Sequence, residues 1–237
     1  MTASLCLARL SLDDLLAQTL AQPFLHPDER DYYDSLPQSP RRESYLIGRY
    51  CAKRALVGRL PNTAMDAMPV YPGVFGQPVL GSAQCAGVQI SLTHCNGVGA
   101  AIAFDERQPM AIDMERVSPL ASPRQTEAIK AQLTNAEIAM LDYFGRDSQD
   151  CSGTWIWTWI WTAKEALSKV LRTGLMIPMP LLEISRAWHE GPYLLAEYVH
   201  FPQYKVMSFL WRGTVVSIVL PKRTTLRMDF DGLMALP

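Results

Sequence analysis

The sequence predicts an α+β protein made of two α+β halves of similar size. Helical periodicity dominates the first 60 residues and gives way to hairpin-rich β patterning that ends near Asp113. A strong helix and several antiparallel strand candidates then follow. No letter-by-letter repeat is evident between the halves. We place an N-terminal lobe at residues 1–108, a C-terminal lobe at 109–221 and a tail at 222–237, where KRTTLRMDFDGLMALP gives no firm signal.

The first strand candidate is SLCLARL. Ser11 then caps a helix whose Leu12, Leu15, Leu16 and Leu20 share a face. A second short helix lies near PDERDYYDSL, and RRESYLIGRYCAKRALVGRL forms a long one with six basic residues and one acid, Glu43. Arg42, Arg49 and Lys53 fall nearly on one line beside an apolar stripe of Tyr45, Ala52 and Leu56. Such a face is either solvated or set against a phosphate-rich ligand.

Strand patterning follows in GQPVL, GVQISLTH, CNGVGAAIAF and QPMAIDMERV. Asn96-Gly97 is a hairpin signal because both residues tolerate positive φ, and His94 sits at the mouth of that hairpin. From Ser118 to Asp150 the chain is polar with helical signals, and Thr134 with Glu137 makes a capping box. In TWIWTWIWTAKEALSKVLRTGL the tryptophans alternate like a strand but also form i,i+4 pairs. The helix formers of AKEALSKVL and the stop at Gly174 decide for a helix. LLEISRAW, YLLAEYVH, YKVMSFLWR and TVVSIVL complete the β patterning.

The 237 residues carry a net charge of −1, which argues against a general nucleic-acid binder. Five widely spaced cysteines, without a C-x-x-C pair, read as thiols of a reducing compartment. Arg9, Asp13 and Asp14 interrupt any signal-peptide core, and no later run approaches membrane-spanning length. The expectation is a cytoplasmic protein without a membrane role.

Chemistry concentrates in A-I-D-M-E-R. In an extended segment, Asp113 and Glu115 project from the same side and could hold a hard cation; charged residues at a strand end facing solvent are the plainer alternative. On the later helix, Glu165 and Lys169 lie one turn apart, as a surface ion pair would. Their combination with a basic helix and a strand-end Thr93-His94 fits one compact site.

In these residues the sequence resembles the Sfp-type 4′-phosphopantetheinyl transferases. The matching stretches are Gly76-Gln77-Pro78, Ser91-Leu92-Thr93-His94, Ala111-Ile112-Asp113-Met114-Glu115 and Trp161-Thr162-Ala163-Lys164-Glu165-Ala166-Leu167-Ser168-Lys169, within residues 41–175. The resemblance implies two α+β lobes in a pseudo-twofold arrangement, with coenzyme A bound across the cleft between them, in a protein of the monomeric class. It also implies Mg2+ on Asp113, Glu115 and Glu165, and transfer of 4′-phosphopantetheine from coenzyme A to a serine of an apo acyl or peptidyl carrier protein. Glu165 would accept the serine proton, Lys169 would stabilise the phosphates or protonate the leaving oxygen, and Arg42, Arg49, Thr93 and His94 would contact the nucleotide and its phosphates. Gln77 stands where the family often has a basic residue, and Thr93 where serine is usual. A Mg2+-dependent phosphohydrolase and a non-catalytic carrier-protein-binding homologue are the alternatives.

Overall fold

A computed structural model of the chain describes residues 3–117, 123–147 and 154–226. The ends of the polar stretch at 118–122 and 148–150, residue Cys151 and most of the predicted tail lie outside the described residues. The described chain divides into two compact α+β units, one of residues 3–112 with 225–226, the other of residues within 113–224.

In the first unit, strand β1 (Ser4–Arg9) leads to helix α1 (Leu12–Ala21), which Ser11 caps as expected and Asp14 completes into a capping box. Helix α2 (Pro27–Ser35) opens on a second box, in which His26 caps and Glu29 reaches back to the His26 amide. Helix α3 (Pro40–Arg59) buries Leu46, Ile47, Cys51, Ala52, Ala55 and Leu56. After the short hairpin of β2 (Val70–Pro72) and β3 (Pro78–Leu80), strands β4 (Val88–Cys95) and β5 (Val98–Asp105) form an antiparallel pair. The predicted Asn96-Gly97 turn joins them at φ 46° and 76°, the pairing a two-residue hairpin demands.

The sheet order is β1-β5-β4, and α3 packs on it. Close approach depends on Gly99, since a Cβ there would stand 2.8 Å from Cys51 Sγ and from Ile47 Cγ1. The alanines 100, 101 and 103 of β5, all buried, keep the neighbouring surface equally shallow.

Strand β6 (Ala111–Arg116) joins the sheet of the second unit, whose order is β6-β10-β9-β8-β7. Between β6 and that sheet's other strands come α4 (Pro123–Lys130), α5 (Asn135–Asp147) and α6 (Thr154–Leu171). The strands are β7 (Ile184–Glu190), β8 (Tyr193–Tyr198), β9 (Tyr204–Trp211) and β10 (Thr214–Pro221), each antiparallel to the next. The tryptophan-rich segment is helical as predicted, with Trp159 fully buried. Its indole Nε1 donates to Ser208 Oγ at 3.1 Å. The Ser208 and Ser217 hydroxyls, and those of Ser217 and Thr162, then lie 2.8 Å apart, giving a buried polar chain that fixes α6 on β9 and β10.

One expectation needs correction, because the two units do share a repeat. Ala52-Lys53-Arg54-Ala55-Leu56 on α3 answers Ala163-Lys164-Glu165-Ala166-Leu167 on α6. In each, the lysine is buried and meets a capping-box glutamate: Lys53 Nζ to Glu29 Oε2 at 2.6 Å, and Lys164 Nζ to Glu137 Oε2 at 2.7 Å. Each lysine also donates to a methionine carbonyl 15 residues on, Met68 or Met179. Each glutamate's other oxygen accepts a backbone amide at 3.0 Å, from Val70 or Ile184. Both units then form a hairpin of eight residues, two and eight, the second turning at Arg212-Gly213 with φ 50° and 73°. The identities number only four in five residues, so the repeat is carried by buried-charge geometry more than by letters.

Candidate active site

Asp113 and Glu115 lie on β6, Glu165 and Lys169 on α6, and the second unit brings the four together. Asp113 is 3% exposed and accepts from Lys169 Nζ at 2.6 Å. This replaces the expected surface pair of Glu165 with Lys169: the lysine reaches across to the strand. Loss of hydration raises Glu165 to about 7, the charge of Asp113 adds to the rise, and Lys169 opposes it. Glu115 is also raised, by loss of hydration first and then by Asp113. Glu115 and Glu165, sharing one locale with the Asp113 charge, thus resist ionising, as clustered carboxylates do.

Among the described residues, no three histidine, cysteine, aspartate or glutamate side chains are gathered closely enough to hold a metal ion as they stand. The ammonium of Lys169 is the cation beside Asp113. The donor set nevertheless suits a hard divalent ion, being all carboxylate oxygen and carrying a mutual repulsion that such a charge relieves.

The first unit holds a cavity of about 680 Å³ lined by Tyr32, Arg41, Tyr45, Arg49, Tyr71 and His94, among others. His94 is exposed at the end of β4, and Thr93 beside it is buried. The Arg49 guanidinium lies 4.5 Å above the Tyr45 ring, with Nε 3.2 Å from Glu29 Oε1.

The basic face of α3 differs from its sequence-level appearance. Lys53 is fully buried, and acids missing from α3 itself come from α2: Glu29 serves Lys53 and Arg49, while Asp34 lies 3.7 Å from Arg42. Arg42 also donates to the Leu36 carbonyl at 3.0 Å and covers the Tyr33 ring at 4.3 Å, so it braces α2 against α3. Gln77 is likewise engaged, accepting from the Phe75 amide at 3.0 Å to close the β2–β3 turn. Arg41, Tyr32 and Tyr45 are cavity residues that sequence reasoning missed; Arg41 was legible as a basic neighbour of Arg42, but its direction was not. Glu29 was missed too, its only signal being glutamate three residues after a cap position.

The model of the 4'-phosphopantetheinyl transferase superfamily matches residues 109–218, a range that contains the whole carboxylate cluster. These residues make up a little less than half of the chain, and the homology over them points to this superfamily. Phosphopantetheinyl transferase structures similar to this chain include a holo-(acyl-carrier-protein) synthase from Bacillus anthracis str. Ames in complex with CoA (3',5'-ADP), at 19% identity and TM-score 0.38, covering 43% of this chain and 91% of that one. A Chronobacterium ammoniagenes ACPS-CoA complex is 18% identical with TM-score 0.33, covering 43% and 93%. A holo-ACP-synthase from Plasmodium yoelii is 14% identical with TM-score 0.33, covering 43% and 90%. Comparison with curated proteins finds no match. Among the described residues, no helix is long and apolar enough to cross a membrane.

Proposed function

We propose that this phosphopantetheinyl transferase moves the 4′-phosphopantetheine of coenzyme A to a serine of an apo acyl or peptidyl carrier protein. The observation that carries the reading is the convergence of Asp113, Glu115 and Glu165 with Lys169 inside the region that matches the superfamily. Asp113, Glu115 and Glu165 would hold Mg2+, which when bound supplies charge neutralisation for a pyrophosphate.

The serine oxygen forms a bond to the β-phosphorus of coenzyme A, the bond from that phosphorus to the bridging oxygen breaks, and adenosine 3′,5′-bisphosphate leaves with the electron pair. Glu165 takes the serine proton. Burial and the neighbouring Asp113 charge make Glu165 a stronger base than an ordinary carboxylate, which suits it to that task. Lys169, already turned toward the acids, meets the growing charge on the phosphate oxygens or protonates the leaving oxygen.

The aromatic and cationic cavity of the first unit suits the adenosine bisphosphate end. Tyr32 and Tyr45 offer flat apolar faces, and Arg41, Arg49 and His94 offer donors to phosphate, whereas Thr93 is buried beside His94 and does not line the cavity. Arg42 and Gln77 act on that site through the segments they brace. On the carrier side, α5 presents Tyr143 to solvent at 68% exposure, whereas Leu141 is buried and belongs to the core. Tyr143 is thus the apolar contact that α5 offers to a docked carrier. Release of adenosine 3′,5′-bisphosphate should require an apo carrier protein with its serine intact. Equal release without any carrier would show a phosphohydrolase instead.

A further inference from the structure

The Glu29–Lys53 and Glu137–Lys164 knots are the same device, with one difference. Glu137 serves two backbone amides and one lysine. Glu29 serves the equivalent three donors and, in addition, Arg49 at 3.2 Å. Four residues before the knot lysine, the second unit has Ile160, fully buried, where the first unit has Arg49 at the wall of the cavity. A charge has taken the place of a core side chain.

We infer that Glu29 is a positioning residue for ligand binding, fixing the Arg49 guanidinium at the cavity wall, a role its counterpart Glu137 does not have. The inference rests on the reading of that cavity as the nucleotide site. The guanidinium is flanked on two sides, by Tyr45 beneath its plane and by the Glu29 carboxylate 3.2 Å from Nε, an ion pair without hydrogen-bond geometry, and its side chain remains 14% accessible. With the acid along its Nε edge, the guanidinium keeps its terminal nitrogens as a planar fork that fits two phosphate oxygens.

Two effects compete when Glu29 is neutralised. Loss of a negative charge would strengthen the field felt by an anion, and loss of the anchor would free Arg49 to turn. The first is cancelled, because Lys53 is fully buried and cannot stay charged without its partner. The knot carries a net +1 before the change, from Arg49, Lys53 and Glu29, and +1 after it, from Arg49 alone. Orientation therefore decides the outcome.

Titration calorimetry with adenosine 3′,5′-bisphosphate, in chelator so that no metal contributes, tests this in the full chain, with a melting curve for each variant. E29Q should weaken binding by about tenfold, whereas E137Q should change it by less than about twofold, although both lower the melting temperature. E29Q/R49A should bind no more weakly than R49A, the signature of one coupled unit. R49K should be as weak as R49A, because lysine keeps the charge but lacks the planar fork that the Tyr45 ring and the Glu29 carboxylate orient. Binding by E29Q equal to that of E137Q, or R49K binding like the unaltered protein, would overturn the inference; the R49K comparison decides even if E29Q does not fold. No binding by the unaltered protein, or R49A binding normally, would instead overturn the cavity reading beneath it.

Discussion

The ammonium of Lys169 is held 2.6 Å from an aspartate that is 3% exposed, near two glutamates, Glu115 and Glu165, that both resist ionising. Under the proposed metal role, removing Asp113 or Glu115 takes away one support for the divalent ion, so D113A and E115A should lower turnover by roughly 10²- to 10⁴-fold with the fold intact. Steady-state kinetics under limiting Mg2+ beside circular dichroism checks both halves of that statement. Glu165 sets the pH dependence. Its folded value of about 7 exceeds the ordinary 4.5, so the metal-free protein binds this proton more tightly folded than unfolded. The stability this gives is complete below about 4.5 and is lost as pH rises through about 7. Melting temperature without metal should therefore fall across that window, E165Q should flatten the slope, and Mg2+ should raise the melting temperature more at pH 8 than at pH 6. A metal-induced rise independent of pH would place the ion elsewhere. These acids were legible as residue types in the sequence; that Lys169 pairs with Asp113 and not with Glu165 was not, because the contact spans 56 positions.

Helix α6 carries two site residues, and its placement rests on buried polar contacts. Lys164 ties it to α5 through Glu137, the Tyr198 hydroxyl donates to the Ala163 carbonyl at 2.8 Å, and Thr162 reaches Ser217. K164M leaves Glu137 buried and uncompensated, so it should cost about 3–5 kcal/mol in urea unfolding. K164M/E137M, which removes both charges, should lose less than the sum of the single variants. Strict additivity would show that the pair is not coupled. In the first unit, G99A drives a methyl group into Cys51 and Ile47 at 2.8 Å and should cost about 1–3 kcal/mol. The helices, the Asn96-Gly97 hairpin, the Ser11 cap and the Thr134–Glu137 capping box were legible because each depends on neighbours within a few residues. The destinations of Arg42 and Gln77 were not, because a helical wheel shows which side a residue takes but not which acid or amide another segment brings to it.

At the scale of the molecule, two α+β units repeat one plan: a capped helix, a long helix with a buried lysine, and a hairpin of eight, two and eight residues. The plan was hidden because the letters agree only over Ala52–Leu56 and Ala163–Leu167, while the glutamate that meets each buried lysine comes from a separate, preceding helix. Where the units diverge, the chemistry follows: Arg54 stands where Glu165 stands, and Arg49 where Ile160 stands. The central claim is that the second unit's acids serve phosphopantetheine transfer. Intact-mass measurement of an apo carrier protein, incubated with coenzyme A, Mg2+ and either this protein or its D113A and E165A variants, tests it most directly. One added phosphopantetheine is expected with the unaltered protein and little or none with either variant. An unmodified carrier, or full modification by both variants, would contradict it.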